Sequence, residues 1–234
     1  SGGEHFADTL MTFLSQNKAH DAAIKIASQA GHPGDSLSLA VGELMLDRDQ
    51  TSAARAYLRG WIERAELGNQ AVAARFIAAA LDAEDPEVAL LAARRFGMNR
   101  LPEKSLVEIA EALGATGRRD EFETVRTALS AETLVAHPLL SAMVELNRGE
   151  TSATKNILSG VSSDALDTWR LALWARLMRE TGKGSLADAK LRQLRVRRPL
   201  IEAAAVGPEA VEAKQPDVGT AASADRTHRL STGA

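Results

Sequence analysis

The sequence contains no cysteine. That excludes disulfides, zinc–thiolate sites, iron–sulfur clusters and cysteine nucleophiles together. Aromatic residues make up only 4% of the chain, so any core is built from aliphatic side chains. No run of 18 apolar residues occurs, which argues against a membrane-spanning helix. Charge of neither sign dominates. The formal net charge of -3 excludes a globally basic nucleic-acid binder, though not a local basic patch. Phosphate-cradling loops of the G-x-G-x-x-G or G-x-x-x-x-G-K-[ST] type are missing; Thr181-Gly182-Lys183-Gly184-Ser185 lacks the upstream glycine and strand. The five histidines lack metal-ligand spacing, and 82–87 lacks the alternating oxygens and central glycine of a calcium loop. The composition implies no cofactor and no metal.

What is abundant is alanine (43) and leucine (29) among 234 residues, which favours helix. Apolar residues recur at helical spacing: Phe6, Leu10, Phe13 and Leu14; Leu106, Ile109, Ala110 and Leu113; Leu171, Trp174, Ala175 and Met178. Breakers interrupt the pattern at Gly31–Gly34, Asp85-Pro86, Leu101-Pro102, Gly117, His137-Pro138, Gly149 and Gly182. The spacing predicts about twelve helices of roughly 11–18 residues and no strand.

The helices repeat. Leu46, Arg48, Thr51, Ser52 and Ala53 return as Leu146, Arg148, Thr151, Ser152 and Ala153. A turn residue is followed five positions later by the first buried position of a helix: Asn17/Ala22, Asp49/Ala54, Glu84/Ala89, Gly117/Phe122, Gly149/Thr154 and Gly182/Ala187. The second members are spaced 32, 35, 33, 32 and 33 residues apart. The turn position follows a helix C-terminus, where a left-handed backbone suits Gly, Asn or Asp. The later position is small where two antiparallel helices approach. One turn further along stand Ile26, Leu58, Ala93, Arg126, Leu158 and Leu191, of which only Arg126 is charged.

This register resembles the tetratricopeptide (TPR) repeat family. The sixth unit matches best, with Leu171, Trp174, Ala175 and Met178, the turn at Gly182, then Ala187, Leu191 and Pro199. Gly42 and Ala54 serve the second unit; Phe122, Thr154, Arg126 and Pro138 depart from the pattern. The resemblance implies an all-α, right-handed α-solenoid of about six antiparallel helical hairpins over residues 1–200. Its concave surface, lined by the first helix of each pair, would hold a partner protein or peptide segment. Projecting that register gives the inward candidates Glu43, Arg75, Glu108, Glu111, Trp169, Arg176 and Arg179.

Residues 201–234 change texture and read as a flexible C-terminal tail. Residues 170–198 carry nine Arg or Lys against Glu180 and Asp188. That basic end would steer an acidic partner, or simply keep a capping repeat soluble. Stacking aromatics are too scarce for nucleic-acid recognition of that kind.

One enzymatic alternative competes. Gly34-Asp35-Ser36-Leu37 and Asp225-Arg226-Thr227-His228 resemble the nucleophile and base blocks of GDSL esterases. Ser36 would attack, with His228 as base and Asp225 orienting it. That family needs its serine after a buried strand, whereas 24–30 reads as helix, and Gly97-Met98-Asn99-Arg100 only partly echoes an oxyanion block. The leading expectation is therefore a non-enzymatic scaffold without a small-molecule substrate, capable of self-association through its solenoid ends. Composition fits a bacterial secretion or cell-envelope accessory of periplasm or cytoplasm. The start at Ser1-Gly2-Gly3 also fits a spacer within a longer polypeptide.

Overall fold

A computed structural model describes residues 35–195, with Ala22, Lys25 and Ile201 as further isolated positions. Among the described residues the chain is all-helical, with eleven α-helices, two 3-10 turns and no strand. The helices are α1 (Asp35–Asp47), α2 (Thr51–Ile62), α3 (Gln70–Asp82), α4 (Pro86–Phe96), α5 (Glu103–Ala115), α6 (Arg119–Arg126), α7 (Ala131–Ala136), α8 (Pro138–Asn147), α9 (Thr151–Ser159), α10 (Thr168–Glu180) and α11 (Gly184–Arg195). They run six to thirteen residues, shorter than the periodicity suggests. A unit near 33 residues must hold two helices and two connections, which leaves about three turns for each.

Five hairpins follow from five equivalent turns. Asp49, Glu84, Gly117, Gly149 and Gly182 all have positive φ, at 57°, 59°, 74°, 84° and 91°. After each, the next residue donates its N–H to the carbonyl five residues back: Gln50 to Met45, Asp85 to Ala80, Arg118 to Leu113, Glu150 to Glu145 and Lys183 to Met178. This is the Schellman closure of a helix, repeated at the expected positions. The pairs are α1/α2, α3/α4, α5/α6, α8/α9 and α10/α11.

The register also places the core. Ala54, Ala89, Phe122, Thr154 and Ala187 are all fully buried, and so, within 4% exposure, are Leu58, Ala93, Leu158 and Leu191. Thr154 is accommodated by donating its hydroxyl to the Glu150 carbonyl (3.0 Å). Gly42 is needed where α1 meets α2, since a Cβ there would lie 2.7 Å from Leu58 Cδ2. Ala22, the earliest position of this register, is instead exposed, and Asn17 lies outside the described residues. Pro138 proves no obstacle, because it opens α8 where its missing N–H has no helical acceptor. Ile201, assigned to the tail by composition, is helical and buried; the remaining tail lies outside the described residues.

Arginines stitch successive hairpins along one edge. From α2, Arg55 Nε donates to the Ala83 carbonyl (2.8 Å) and Arg59 grips Asp85 with two bonds of 2.9 Å. Asp85 is 3% exposed and also caps α4 by accepting from the Val88 N–H. From α4, Glu87 pairs with Arg118 at the next turn.

Helix α5 is the centre of the array. Ten of its thirteen residues are buried, so it is enclosed all round rather than on one stripe. It packs on α3, α4, α6, α8 and α10. The α5–α10 contact joins hairpins that are not consecutive, where a strictly linear stack would touch only its neighbours. Gly114 makes it possible: a Cβ there would lie 2.9 Å from Leu173 Cδ1, on α10. The short extra helix α7 lies between a shortened α6 and α8, and the turns on either side of it, Gly117 and Gly149, keep their 32-residue spacing.

Candidate functional site

The first helices α1, α3 and α5 lie side by side, and α10 follows against α5. The seven inward candidates sit on these four helices and fall into three groups. Glu43 and Arg75 meet across α1 and α3 in a two-bond ion pair, Nε to Oε1 at 3.2 Å and Nη2 to Oε2 at 2.7 Å. Both are substantially exposed.

Glu108, Glu111 and Trp169 converge on one cleft of about 300 Å³. Its walls come from α3 (Ala78, Leu81, Asp82), α5 (Glu108, Glu111) and the start of α10 (Asp167–Arg170). The Trp169 ring is fixed by its Nε1, which donates to the Leu81 carbonyl at 3.2 Å. Asp167 caps α10 by accepting from the Arg170 N–H at 3.2 Å. The indole bond anchors the first turn of α10 on the end of α3, and the cap closes that turn.

Arg176 and Arg179 lie further along α10, away from that lining. The Arg176 guanidinium packs on the Gly117 turn, with Nε 2.8 Å from Glu180 Oε1 though out of line for a hydrogen bond. Glu180 also accepts from Arg119 at 2.5 Å. Arg179 donates twice to Asp188 Oδ1, at 2.9 and 2.6 Å. These two arginines tie α10 to its own hairpin and to the α5/α6 turn. The basic end is thus partly neutralised, by Glu180 and Asp188 from within and by Glu111 and Asp164, which pair with Arg170 and Lys190, from outside it.

The cleft's electrostatics follow from burial. Glu111 is 4% exposed, and both carboxylate oxygens accept from Arg170 Nε, at 2.9 and 3.1 Å. Desolvation raises its pKa to about 7; the Arg170 charge pulls the other way, and Asp167 and Glu108 add to the rise. Glu108 is likewise raised, mainly by desolvation, with Lys104 and Arg170 opposing and Asp167 and Asp82 reinforcing it. His137 Nδ1 lies 3.7 Å from Glu111 Oε1, and burial holds that imidazole below 6.5. A surface with four carboxylates, one arginine and an indole can hold a cation that brings an apolar stem, the stem lying on Leu81 and Trp169.

Asp82, Asp167 and Arg170 were absent from the projected set. Asp167 carried a local signal as an N-cap, but only the tertiary contact brings it beside Glu108.

A second cleft of about 440 Å³ lies between α6 and α8, lined by Arg119, Asp120, Glu123, Arg126, Val144, Asn147 and Arg148. Its arginines are answered by carboxylates: Arg126 by Glu123 (2.5 Å), Arg148 by Glu145 (2.9 Å) and Arg119 by Glu180. No aromatic side chain lines it.

Of the esterase-like blocks, only Asp35–Leu37 and Gly97–Arg100 fall among the described residues. Ser36 belongs to the first turn of helix α1, and no strand occurs among the described residues. Met98–Arg100 is a 3-10 turn after Gly97. Asp225 and His228 lie outside the described residues. Among the described residues no cluster of His, Asp and Glu could hold a metal, and no helix is long and apolar enough to cross a membrane. Comparison with known protein families, with curated proteins and with solved structures found no match.

Proposed function

We propose that this chain is a tetratricopeptide-like interaction module, non-enzymatic, that binds an extended segment of another protein along its α1–α3–α5–α10 surface and seats a lysine or arginine of that segment in the α3/α5/α10 cleft. The observation that carries the reading is the convergence of Glu108, Glu111 and Trp169, from two helices far apart in sequence, on a cavity of about 300 Å³ with Asp82 and Asp167. A cleft of that volume has room for one long side chain. The five Schellman turns at near-constant spacing support the repeat assignment. In this reading the first helices form the concave side of a short right-handed superhelix, and the α5–α10 contact closes it early.

The test is a titration of the protein with fluorescent peptides carrying a central Lys, Arg, acetyl-lysine or norleucine. Lys and Arg peptides are expected to bind about 10–100-fold tighter than the neutral ones, the worth of one charge-assisted contact in a half-buried site. Trp169→Ala and Glu108→Gln are expected to remove most of that difference. Equal binding of all four peptides would refute the cleft as the recognition site.

A further inference from the structure

Most arginines of this fold are ion-paired, and three that are not gather at one helix end. Ten arginines from Arg55 to Arg179 lie beside a carboxylate. Among the described residues no carboxylate stands within ion-pair distance of Arg94, Arg95 or Arg100. All three are exposed, Arg94 and Arg95 in the last turn of α4 and Arg100 in the 3-10 turn that follows it. Neutral groups hold two of them. Arg95 Nη1 donates to the Ile62 carbonyl at the end of α2. Arg100 Nη1 donates to the Phe96 carbonyl at 3.3 Å, and its guanidinium lies 4.3 Å from the centre of the Phe96 ring. The acid whose charge reaches Arg94 is Glu121, which is itself bonded to Arg118 at 2.7 Å.

Helix capping accounts for part of this arrangement. Cations at a helix C-terminus answer its last carbonyls and offset a dipole charge of about one half. Three guanidiniums exceed that need, and Arg94 caps no carbonyl. Leu91 stands on the same face of α4, three and four residues before Arg94 and Arg95, and is 41% exposed. The end of α4 therefore presents open positive charge beside an aliphatic side chain.

We propose that the C-terminal end of α4 is a docking surface for an acidic segment of a partner protein, with Arg94, Arg95 and Arg100 holding its carboxylates and Leu91 an aliphatic residue within it. Charge complementarity selects the occupant. A guanidinium fork bonded only to neutral groups pairs well with a carboxylate. The patch is narrow, because exposed Glu63 and Glu66 follow Ile62 on one side and Glu121 lies on the other. On a chain of net charge -3, its positive field is screened within about 8 Å. That reach suits a few carboxylates rather than a nucleic-acid strand or an anionic membrane. None of these residues lines the α3/α5/α10 cleft, so this surface operates whatever the cleft binds.

Fluorescence anisotropy of the full chain with the labelled peptide Glu-Glu-Leu-Glu-Glu, against Gln-Gln-Leu-Gln-Gln, tests this. The acidic peptide is expected to bind about 10-fold tighter, the worth of three exposed charge contacts. Arg94→Gln/Arg100→Gln is expected to abolish that difference. Arg126→Gln/Arg148→Gln changes the net charge equally at arginines already paired with Glu123 and Glu145, and is expected to preserve it. Leu91→Ser is expected to weaken the acidic peptide by about 3-fold. Equal binding of the two peptides, or equal losses in the two double variants, would overturn the proposal. So would binding of phosphatidylserine vesicles or an oligonucleotide that depends on Arg94 and Arg100 while the acidic peptide does not bind. Should the double variant fail to fold, Arg94→Gln alone decides: a loss of about 3-fold upholds the surface, and no loss sinks it.

Discussion

Gly149 and Gly182 isolate the backbone contribution of the repeated turn. Their φ angles are 84° and 91°, and a Cβ built on either meets no heavy atom within 4 Å. Replacing either with alanine therefore changes no packing. What changes is the cost of holding an L-residue in the left-handed region, about 1–2 kcal/mol. Alanine also stiffens the unfolded chain, which returns about 0.4–1 kcal/mol. The net loss expected for each substitution is about 0.5–1.5 kcal/mol. For a chain of this length that lowers Tm by about 1–6 °C. Gly160→Ala is the control: Gly160 has φ of -89°, and its nearest contact is a backbone oxygen at an ordinary 3.6 Å. There only the unfolded-state effect remains, so a gain of about 0.4–1 kcal/mol is expected. Urea unfolding of the three variants, with unchanged slope, gives the comparison. The double variant Gly149→Ala/Gly182→Ala should be additive, because the two turns share no partner. If Gly149→Ala and Gly182→Ala behave like Gly160→Ala, the left-handed turns are not what closes these hairpins, and the repeat register loses its physical basis.

Three further outcomes follow from single sites. Phe122→Ala empties a fully buried position, and urea unfolding is expected to register a loss of about 3–5 kcal/mol. Asp85→Ala removes a buried helix cap and the partner of Arg59 together, and a loss of about 2 kcal/mol by thermal unfolding is expected, against near-neutrality for Glu87→Ala. Glu43→Gln breaks an ion pair that is largely open to solvent, so a change below about 1 kcal/mol, shrinking further in salt, is expected by the same assay.

The sequence alone determined the helices and the turns between paired helices. Turn chemistry is local: a helix end that needs positive φ selects Gly or Asp at that residue, and the five turns from Asp49 to Gly182 could be placed from spacing alone. Burial at Ala54, Ala89, Thr154 and Ala187 was legible for a similar reason, because small residues recur where antiparallel helices must approach. Glu84 shows the limit, taking the same left-handed backbone without the usual residue type. Three of the seven projected residues, Glu108, Glu111 and Trp169, meet in the cleft; Glu43 and Arg75 pair with one another, and Arg176 and Arg179 brace their own hairpin. Only the tertiary structure decided that outcome. A register fixes which face of a helix turns inward, but not which helix comes to lie beside which. Gly114 brings α10 close to α5, which is not its neighbouring hairpin, and the first turn of α10 then lands on α3. The ionisation of Glu111 is decided in the same way, since beyond its helix neighbour Glu108 it depends on burial and on Asp167 and Arg170, almost 60 residues away in sequence.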